Sequence, residues 1–364
     1  MKTRVNLYLT LVFMGFLFYM CTTTPSGSGN NPSSVSQKTL KEVAQSRGIY
    51  IGTAVRAYLL NSPDLYYTPT IKKEFNIIVA ENEMKFESLQ PTANNFYFKD
   101  ADKIVSFATN NGMQIRGHVL LWHQQSGWIA SVTNPTQVSN ALSNHIFTVM
   151  KRYSNVIKWW DVVNEAIDDN YPTVAYPACL RKSFWWTNLG NSYVEYAFQL
   201  ARAANPSAKL FYNDYNIEGF SSRKSKNAFL LVSNLKDKNL IDGIGMQMHV
   251  SVEYHPLNDN FISNLNQYSS LGLEIHITEC DVRILRNQTT YQTQLNLQAD
   301  IYKKLMANCL SNTNVTAFLT WGFTDKYSWI PDVFPQWGDA LLFDKNYNKK
   351  KSYYALLEAM EITN

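Results

Sequence analysis

Two carboxylic acids stand where a buried strand would not be expected to carry them. Glu165 follows the apolar run WWDVVN, and Glu279 follows the run LEIHIT. Burying a carboxyl group without a partner is costly, so an isolated acid at such a place needs an explanation. Two acids brought together could divide one reaction, one as a proton donor and the other as a nucleophile or as a base for water. Glu165 and Glu279 can do this only if the ends of their strands meet.

Short apolar runs alternate with segments of helical periodicity along most of the chain. The predicted strands are residues 49–55, 75–81, 114–119, 157–163, 209–212, 241–248, 273–278 and 315–321. Eight strands alternating with helices favour a (β/α)₈ TIM barrel, a single α/β catalytic domain, over an open sheet. We therefore expect one domain over residues 38–362.

In such a barrel, the chemistry lies at the carboxyl ends of the strands. Polar or aromatic side chains end several predicted strands: Glu81 and Asn82, His118, Asn164 and Glu165, Asn213 and Asp214, Gln247 and His249, Glu279 and Asp281, and Trp321. If residues 157–163 and 273–278 are the fourth and seventh strands, Glu165 and Glu279 face each other across the barrel mouth. Two carboxyl groups that flank a bond are what glycosidic cleavage requires. At that separation they resist being ionised together, so one keeps its proton.

Strand alternation predicts which neighbours share the mouth. It places Glu279 with Asp281 and sends Cys280 toward the helices, and it places Gln247 with His249. Adjacent residues should face opposite ways, so Asn164 and Glu165 can both reach the mouth only if the strand ends or bulges there.

Composition excludes several other classes of protein. The 364 residues are 45% hydrophobic and 17% charged, which suits a large core, and a net charge of +4 without a basic stripe predicts no nucleic-acid partner. Cys179, Cys280 and Cys309 show neither a disulfide framework nor a metal spacing, so we expect buried thiols with at most one bridge. His118 and His123 also lack the spacing of a zinc pair on a helix. We expect no metal and no cofactor, and a monomer.

The N-terminus predicts export. Lys2 and Arg4 precede an apolar run over residues 7–20, which fits a signal peptide over residues 1–21 and is shorter than a spanning helix. Cys21 could carry the lipid of a bacterial lipoprotein, although the preceding residues are larger than usual at such a site. Residues 22–37 are rich in Ser, Thr, Gly and Pro and predict a flexible linker. The expected location is extracellular, periplasmic or on the outer surface.

Six stretches resemble glycoside hydrolase family 10, the endo-β-1,4-xylanases. They are ENEMKF (81–86), GHVLLWHQQ (117–125), WWDVVNEA (159–166), GIGMQMHV (243–250), EIHITECDV (274–282) and TWGFTDKYSW (320–329). The resemblance spans nearly all of residues 39–361. It implies hydrolysis of xylan or xylo-oligosaccharides by a retaining double displacement, with Glu165 as acid/base and Glu279 as nucleophile.

The resemblance also implies supporting roles. His249, shared with Asp281, would hold Glu279 ionised, and Asn164 would bind the 2-hydroxyl of the cleaved sugar. The implied sugar-binding residues are Glu81, Asn82 and Lys85 on the non-reducing side, His118, Trp122 and Gln247 around the cleaved sugar, Trp321 and Trp329 as stacking platforms, and Tyr215 and Asn216 on the leaving-group side.

Two alternatives remain open at this point. The same carboxyl pair could cleave β-1,4-glucan, or the protein could be a xylan-binding surface protein that cleaves poorly. Phe334 and Trp337 are additional aromatic residues in the loop after Trp329, compared with the family, and could reshape the leaving-group side.

Overall fold

The computed structural model describes residues 38–170, 174–286 and 290–362. The predicted signal peptide, Cys21 and the linker over residues 22–37 lie outside the described residues. The strands are β1 Tyr50–Val55, β2 Ile77–Ala80, β3 Gln114–Leu121, β4 Trp159–Asn164, β5 Lys209–Asp214, β6 Gly243–Met246, β7 His249–Ser251, β8 Glu274–Leu285, β9 Val315–Thr320 and β10 Trp337–Gly338.

Helices follow most of these strands and form the outer layer. They are α1 Leu40–Ser46, α2 Tyr67–Glu74, α3 Phe86–Leu89, α4 Lys99–Asn110, α5 Gly127–Ala130, α6 Pro135–Arg152, α7 Phe184–Leu189, α8 Tyr193–Ala204, α9 Arg223–Asp237, α10 Phe261–Ser270, α11 Tyr291–Leu310, α12 Ile330–Val333 and α13 Lys351–Glu361. Short 3₁₀ helices cover Ala57–Asn61, Gly190–Ser192, Pro256–Asn258 and Asp325–Tyr327. Among the described residues, no helix has the length and apolar content needed to cross a membrane.

Eight parallel strands close into a barrel. Each of β1 to β5 pairs with the next strand, β6 pairs with β8, and β9 joins β8 to β1. The remaining strands, β7 and β10, pair with the outer part of β8. The predicted (β/α)₈ barrel is confirmed, and β4 and β8 are its fourth and seventh strands.

The barrel strands are apolar because both of their faces are buried. Side chains that point inward form one cluster: Ala54, Ile77, Val79, Trp159, Phe211, Ala317, Leu319 and Trp321. The opposite faces pack against the helices in a much larger cluster, which contains Cys280 as alternation predicted. Cys179, Cys280 and Cys309 are buried free thiols.

A glycine inside the barrel makes room for a polar group beneath the mouth. A Cβ atom on Gly245 would lie 2.2 Å from Oδ1 of Asn213, well inside any real contact distance. Asn213 is buried at the end of β5. The missing side chain on β6 therefore lets this amide occupy the centre of the barrel, below the two carboxylic acids.

The ends of two predicted strands are wrong. The strand predicted over residues 273–278 continues as β8 to Leu285. Residues 241–248 were expected to form one strand, but β6 ends at Met246, and Met248 adopts φ 64°. This left-handed turn is followed by β7, which begins at His249. Met248 is fully buried, and its backbone N–H donates to Glu218 Oε1 at 2.8 Å. Burial of this side chain and the bond to Glu218 hold a conformation that the apolar pattern alone could not predict.

Candidate active site

A cavity of about 360 Å³ opens at the carboxyl ends of the barrel strands. It is lined by Lys85, His118, Trp122, Asn164, Glu165, Tyr215, Asn216, Gln247, His249, Glu279, Arg283, Trp321, Trp329 and Phe334. All of the predicted site residues are in this group except Glu81, Asn82 and Asp281. Arg283 was not expected here, and Phe334 belongs to the loop that the sequence singled out.

Glu165 enters the cavity because β4 ends one residue before it. Its φ of 55° lies in the left-handed region, so Asn164 and Glu165 both turn toward the mouth, as predicted for a strand that ends or bulges there. The Trp122 indole N–H donates to Glu165 Oε2 at 2.8 Å, and the Gln247 amide donates to Oε1 at 2.9 Å. Asn164 Nδ2 donates to the same Oε1 at 3.1 Å. The Glu165 carboxyl is thus held by three uncharged donors.

Glu279 lies in a different electrostatic environment. Its Oε2 is 3.2 Å from His249 Nε2, and His249 Nδ1 is 2.8 Å from Asp281 Oδ2. The Trp329 indole also donates to Asp281 Oδ2, at 3.0 Å. Asp281 therefore does not line the cavity but lies behind His249 and orients its ring.

These contacts keep Glu279 charged. Burial alone would raise the pKa of Glu279, but the hydrogen bonds from His249 and Asn213 and the nearby imidazoles of His118 and His249 together outweigh it, and the pKa lies below its usual value. Burial likewise opposes the charged form of His249, yet Asp281 and Glu279 raise the pKa of His249 to about 10. At neutral pH the imidazolium stands between two carboxylates and stabilises both.

Two amide side chains link the two carboxylic acids. Asn213 Nδ2 donates to Glu279 Oε1 at 2.8 Å and to Asn164 Oδ1 at 2.9 Å. Gln247 Nε2 donates to the same Asn164 oxygen at 3.1 Å, as well as to Glu165. Asn213 was not among the predicted site residues, although it ends a predicted strand in the same way as Asn164. The network fixes the two carboxyl groups relative to one another.

A second chain of contacts orients His118. His118 Nδ1 lies 3.0 Å from Asp161 Oδ2, and Asp161 forms an ion pair with Arg116 inside the barrel. Burial raises the pKa of Asp161, but the Arg116 charge and the hydrogen bond from His118 lower it below its usual value. The His118 ring packs edge-on to Trp321, with centroids 5.4 Å apart. Asp161 and Arg116 lie within apolar strands, so nothing in the sequence marked them as part of the site.

The remaining predicted sugar-binding residues border the cavity. Glu81 accepts two hydrogen bonds from Arg56, at 2.6 and 2.7 Å, and is not on the cavity wall. Lys85 Nζ donates to Asn82 Oδ1 at 2.8 Å and lies 5.0 Å from the centre of the Trp122 ring. The structure thus brings Lys85 into the cavity and leaves Glu81 and Asn82 beside it.

Tyr215, which was predicted to lie on the leaving-group side, contacts two charged residues. Its hydroxyl donates to Asp169, and Lys224 Nζ lies 3.4 Å from the centre of its ring. Asn216 follows in the left-handed region, with φ 56°, and is exposed. No group of His, Cys, Asp and Glu side chains suited to a metal ion occurs within residues 38–170, 174–286 and 290–362.

The raised pKa of His249 predicts a pH-dependent stability. The ordinary pKa is 6.5 and the folded value is about 10, so the stabilisation is complete below pH 6.5 and is lost as the pH rises toward 10. At pH 6 we expect the free energy of unfolding of His249→Gln to be on the order of 2 kcal/mol lower than that of the parent. Urea unfolding at pH 6, 8 and 10 should show this difference shrinking with pH. The control His255→Gln removes a histidine whose pKa is lowered by burial and should show no such shrinkage; a constant gap for His249→Gln would contradict the assignment.

Comparison with known proteins agrees with this geometry. The family model described as glycosyl hydrolase family 10 matches residues 39–359. The chain is 40% identical over 328 residues to endo-1,4-beta-xylanase B of Thermotoga neapolitana, covering 88% of this chain and 91% of that protein. The crystal structure of xylanase 10B from Thermotoga maritima superposes with a TM-score of 0.83 at 40% identity, covering 89% of this chain and 98% of that one. Xylanase 10B from Thermotoga petrophila RKU-1, solved with xylobiose, gives a TM-score of 0.84 at 40% identity over 90% of this chain and 98% of that one. The chain belongs to glycosyl hydrolase family 10.

Proposed function

We propose that this protein is a retaining endo-β-1,4-xylanase. The observation that carries the proposal is the unequal pair of carboxyl groups at the barrel mouth. Glu279 is bonded to an imidazolium that favours its charged form, whereas Glu165 is held by uncharged indole and amide donors. One group is prepared to attack and the other can carry a proton, which is the division of labour that glycosidic cleavage needs. The related xylanases support xylan as the substrate.

In the first step, Glu279 attacks the anomeric carbon of the sugar. The bond to the leaving oxygen breaks as Glu165 gives that oxygen its proton, and a glycosyl ester forms on Glu279. In the second step, water attacks the same carbon, Glu165 takes a proton from the water, and the Glu279 carboxylate leaves. Two inversions give net retention, provided that the carboxyl groups stand about 5–5.5 Å apart.

The surrounding residues suit an oxocarbenium-like transition state. Asn213 Nδ2 donates to Asn164 Oδ1 beneath the two acids, which supports the proposed role of Asn164 in binding the 2-hydroxyl of the reacting sugar. A pyranose has an apolar face of C–H bonds and a polar rim. Trp321 and Trp329 offer the cavity flat apolar surfaces, and both indoles lie edge-on to His249. Sugar stacking on them would exclude water from Glu279 and its partner.

Proton NMR of fresh xylan digestion tests the mechanism. Residues 38–364 are mixed with soluble xylan, and the anomeric signals are followed from the first minutes. We expect the β-anomer to appear first. If the α-anomer came first, Glu279 would be a base for water and not a nucleophile. If xylan stayed intact, a parallel tube with β-glucan would distinguish a glucanase, which cleaves it, from a xylan-binding protein, which cleaves neither.

We also propose that the protein is exported and acts as a monomer on polysaccharide outside the cell. The apolar run over residues 7–20 supports export, and Cys21 directly after it supports a lipid tether. Expression of the full chain in a bacterial host, followed by fractionation, tests this. If Cys21 is lipidated, the protein partitions into membranes and Cys21→Ala releases it; recovery of both forms in the cytoplasm would contradict export.

A further inference from the structure

Arg283 is a cation of the cavity wall that the proposed reaction does not use. It lies on β8 beyond Glu279 and Asp281, on the same face of the strand. Its half-buried side chain lines the cavity together with Trp329 and Phe334. The reaction as proposed needs one acid, one nucleophile and their partners, and gives this guanidinium no task.

The guanidinium of Arg283 has no anionic partner in the described part of the chain. Its Nε is buried and makes no hydrogen bond, and no ion pair to it occurs within residues 38–170, 174–286 and 290–362. Most other described arginines pair with a carboxylate: Arg56, Arg116, Arg152, Arg181, Arg202 and Arg286. Asp281, the nearest acid along the strand, is bonded to His249 and Trp329. Only Nε is buried, whereas the half-buried side chain faces the open cavity, so this guanidinium is available to an anionic ligand that enters the cavity.

Two aromatic rings fix the orientation of this group. The guanidinium carbon lies 4.8 Å from the centre of the Phe334 ring and 5.5 Å from that of Trp337. Trp337 belongs to β10, which pairs with the outer end of β8, so the loop is tied to the strand that carries Arg283. Contacts of this kind occupy the faces of a guanidinium and leave its N–H edge available. That edge can bind a carboxylate through two parallel hydrogen bonds.

We infer that Arg283 binds the carboxylate of an acidic branch sugar, a uronate, carried by the polysaccharide chain. The inference rests on the proposed function and adds a substrate class to it. A main chain of neutral sugars offers no anion to the guanidinium on the cavity wall, whereas a uronate is ionised at neutral pH. Lys85, the other lysine or arginine of the cavity wall, already donates to Asn82. Arg283 therefore selects chains whose acidic branch reaches the side of the cleft formed by Phe334.

Three matched substrates test the inference. They are glucuronoxylan, the same polymer with its carboxyl groups reduced to alcohols, and unsubstituted xylo-oligosaccharides. Arg283→Gln should raise KM on glucuronoxylan about tenfold, which is the effect of one charged hydrogen-bonded contact. On the two uncharged substrates its KM should match that of the parent. Arg283→Lys keeps the positive charge but cannot form two parallel hydrogen bonds to a carboxylate. Its KM on glucuronoxylan should therefore lie between those of the parent and Arg283→Gln.

The outcomes separate this inference from the proposed function. Equal losses on all three substrates would mean that Arg283 only supports the loop of Phe334 and Trp337. An unchanged KM on all three would mean that no uronate touches it. In both cases the parent still cleaves xylan, so the proposed function stands while the inference is overturned. A parent that cleaves neither neutral nor acidic xylan would overturn both.

Discussion

Glu279→Gln is expected to lower kcat on xylan on the order of 10⁵-fold, the scale of losing a covalent nucleophile. The glutamine side chain has nearly the same shape and can still contact His249 and Asn213, so substrate binding should change little. What it lacks is the negative charge that attacks the anomeric carbon. The measurement is the initial rate of reducing-end release from xylo-oligosaccharides, with KM determined for both proteins.

The control for Glu279→Gln is Glu253→Gln, which removes an exposed carboxylate on the loop after β7. It should leave kcat unchanged. A second experiment uses Glu279→Ala with added azide. Azide can enter the space left by the carboxylate and attack the anomeric carbon from the same face. The expected product is an α-glycosyl azide, since only one inversion occurs. Activity of Glu279→Gln within tenfold of the parent would remove Glu279 from the nucleophile role.

Glu165→Ala is expected to reduce kcat/KM on xylan by about 10³-fold, within the usual range for general acid–base catalysis. The loss should depend on the leaving group, because a dinitrophenolate departs without being protonated. On a dinitrophenyl xylobioside the first step should survive while hydrolysis of the glycosyl ester slows. The time course would then show a rapid burst of dinitrophenolate followed by a slow steady state.

Two further measurements test the assignment of Glu165 as the acid/base. Glu165→Ala should bind xylo-oligosaccharides about as tightly as the parent, which separates catalysis from binding and argues against a protein that only holds xylan. A neighbour in the same network, Gln247→Ala, serves as a matched control, because it disturbs the hydrogen bonds to Asn164 and Glu165 without removing a proton donor. Its losses should be similar for good and poor leaving groups. Equal losses of Glu165→Ala on both substrates would exclude Glu165 as the acid.

The barrel and the two acids could be predicted from the sequence because their signals are local. Parallel strands buried on both faces appear as short apolar runs, and each run that ends in a polar residue marks the catalytic end of the barrel. The break after Asn164 was also predictable, since adjacent side chains cannot share one face of a regular strand. Counting strands then placed Glu165 and Glu279 on opposite sides of the mouth.

The partners that give each acid its character depend on contacts between distant parts of the chain. Asn213 meets Glu279 only because Gly245 on the neighbouring strand leaves room for its amide. Asp161 and Arg116 lie within apolar strands, and they orient His118 from inside the barrel. No residue spacing in the sequence predicts these contacts, because each contact joins residues on different strands.

The sequence by itself determined the barrel and the two candidate acids at its mouth, because strand periodicity and residue type are properties of short segments. Only the tertiary structure decided which neutral donors hold Glu165, where β6 turns at Met248, and that Arg283 reaches the cavity with no anionic partner among the described residues. The physical reason is that charge state and orientation depend on burial and on neighbours a few ångströms away. Those neighbours are brought together by closure of the barrel.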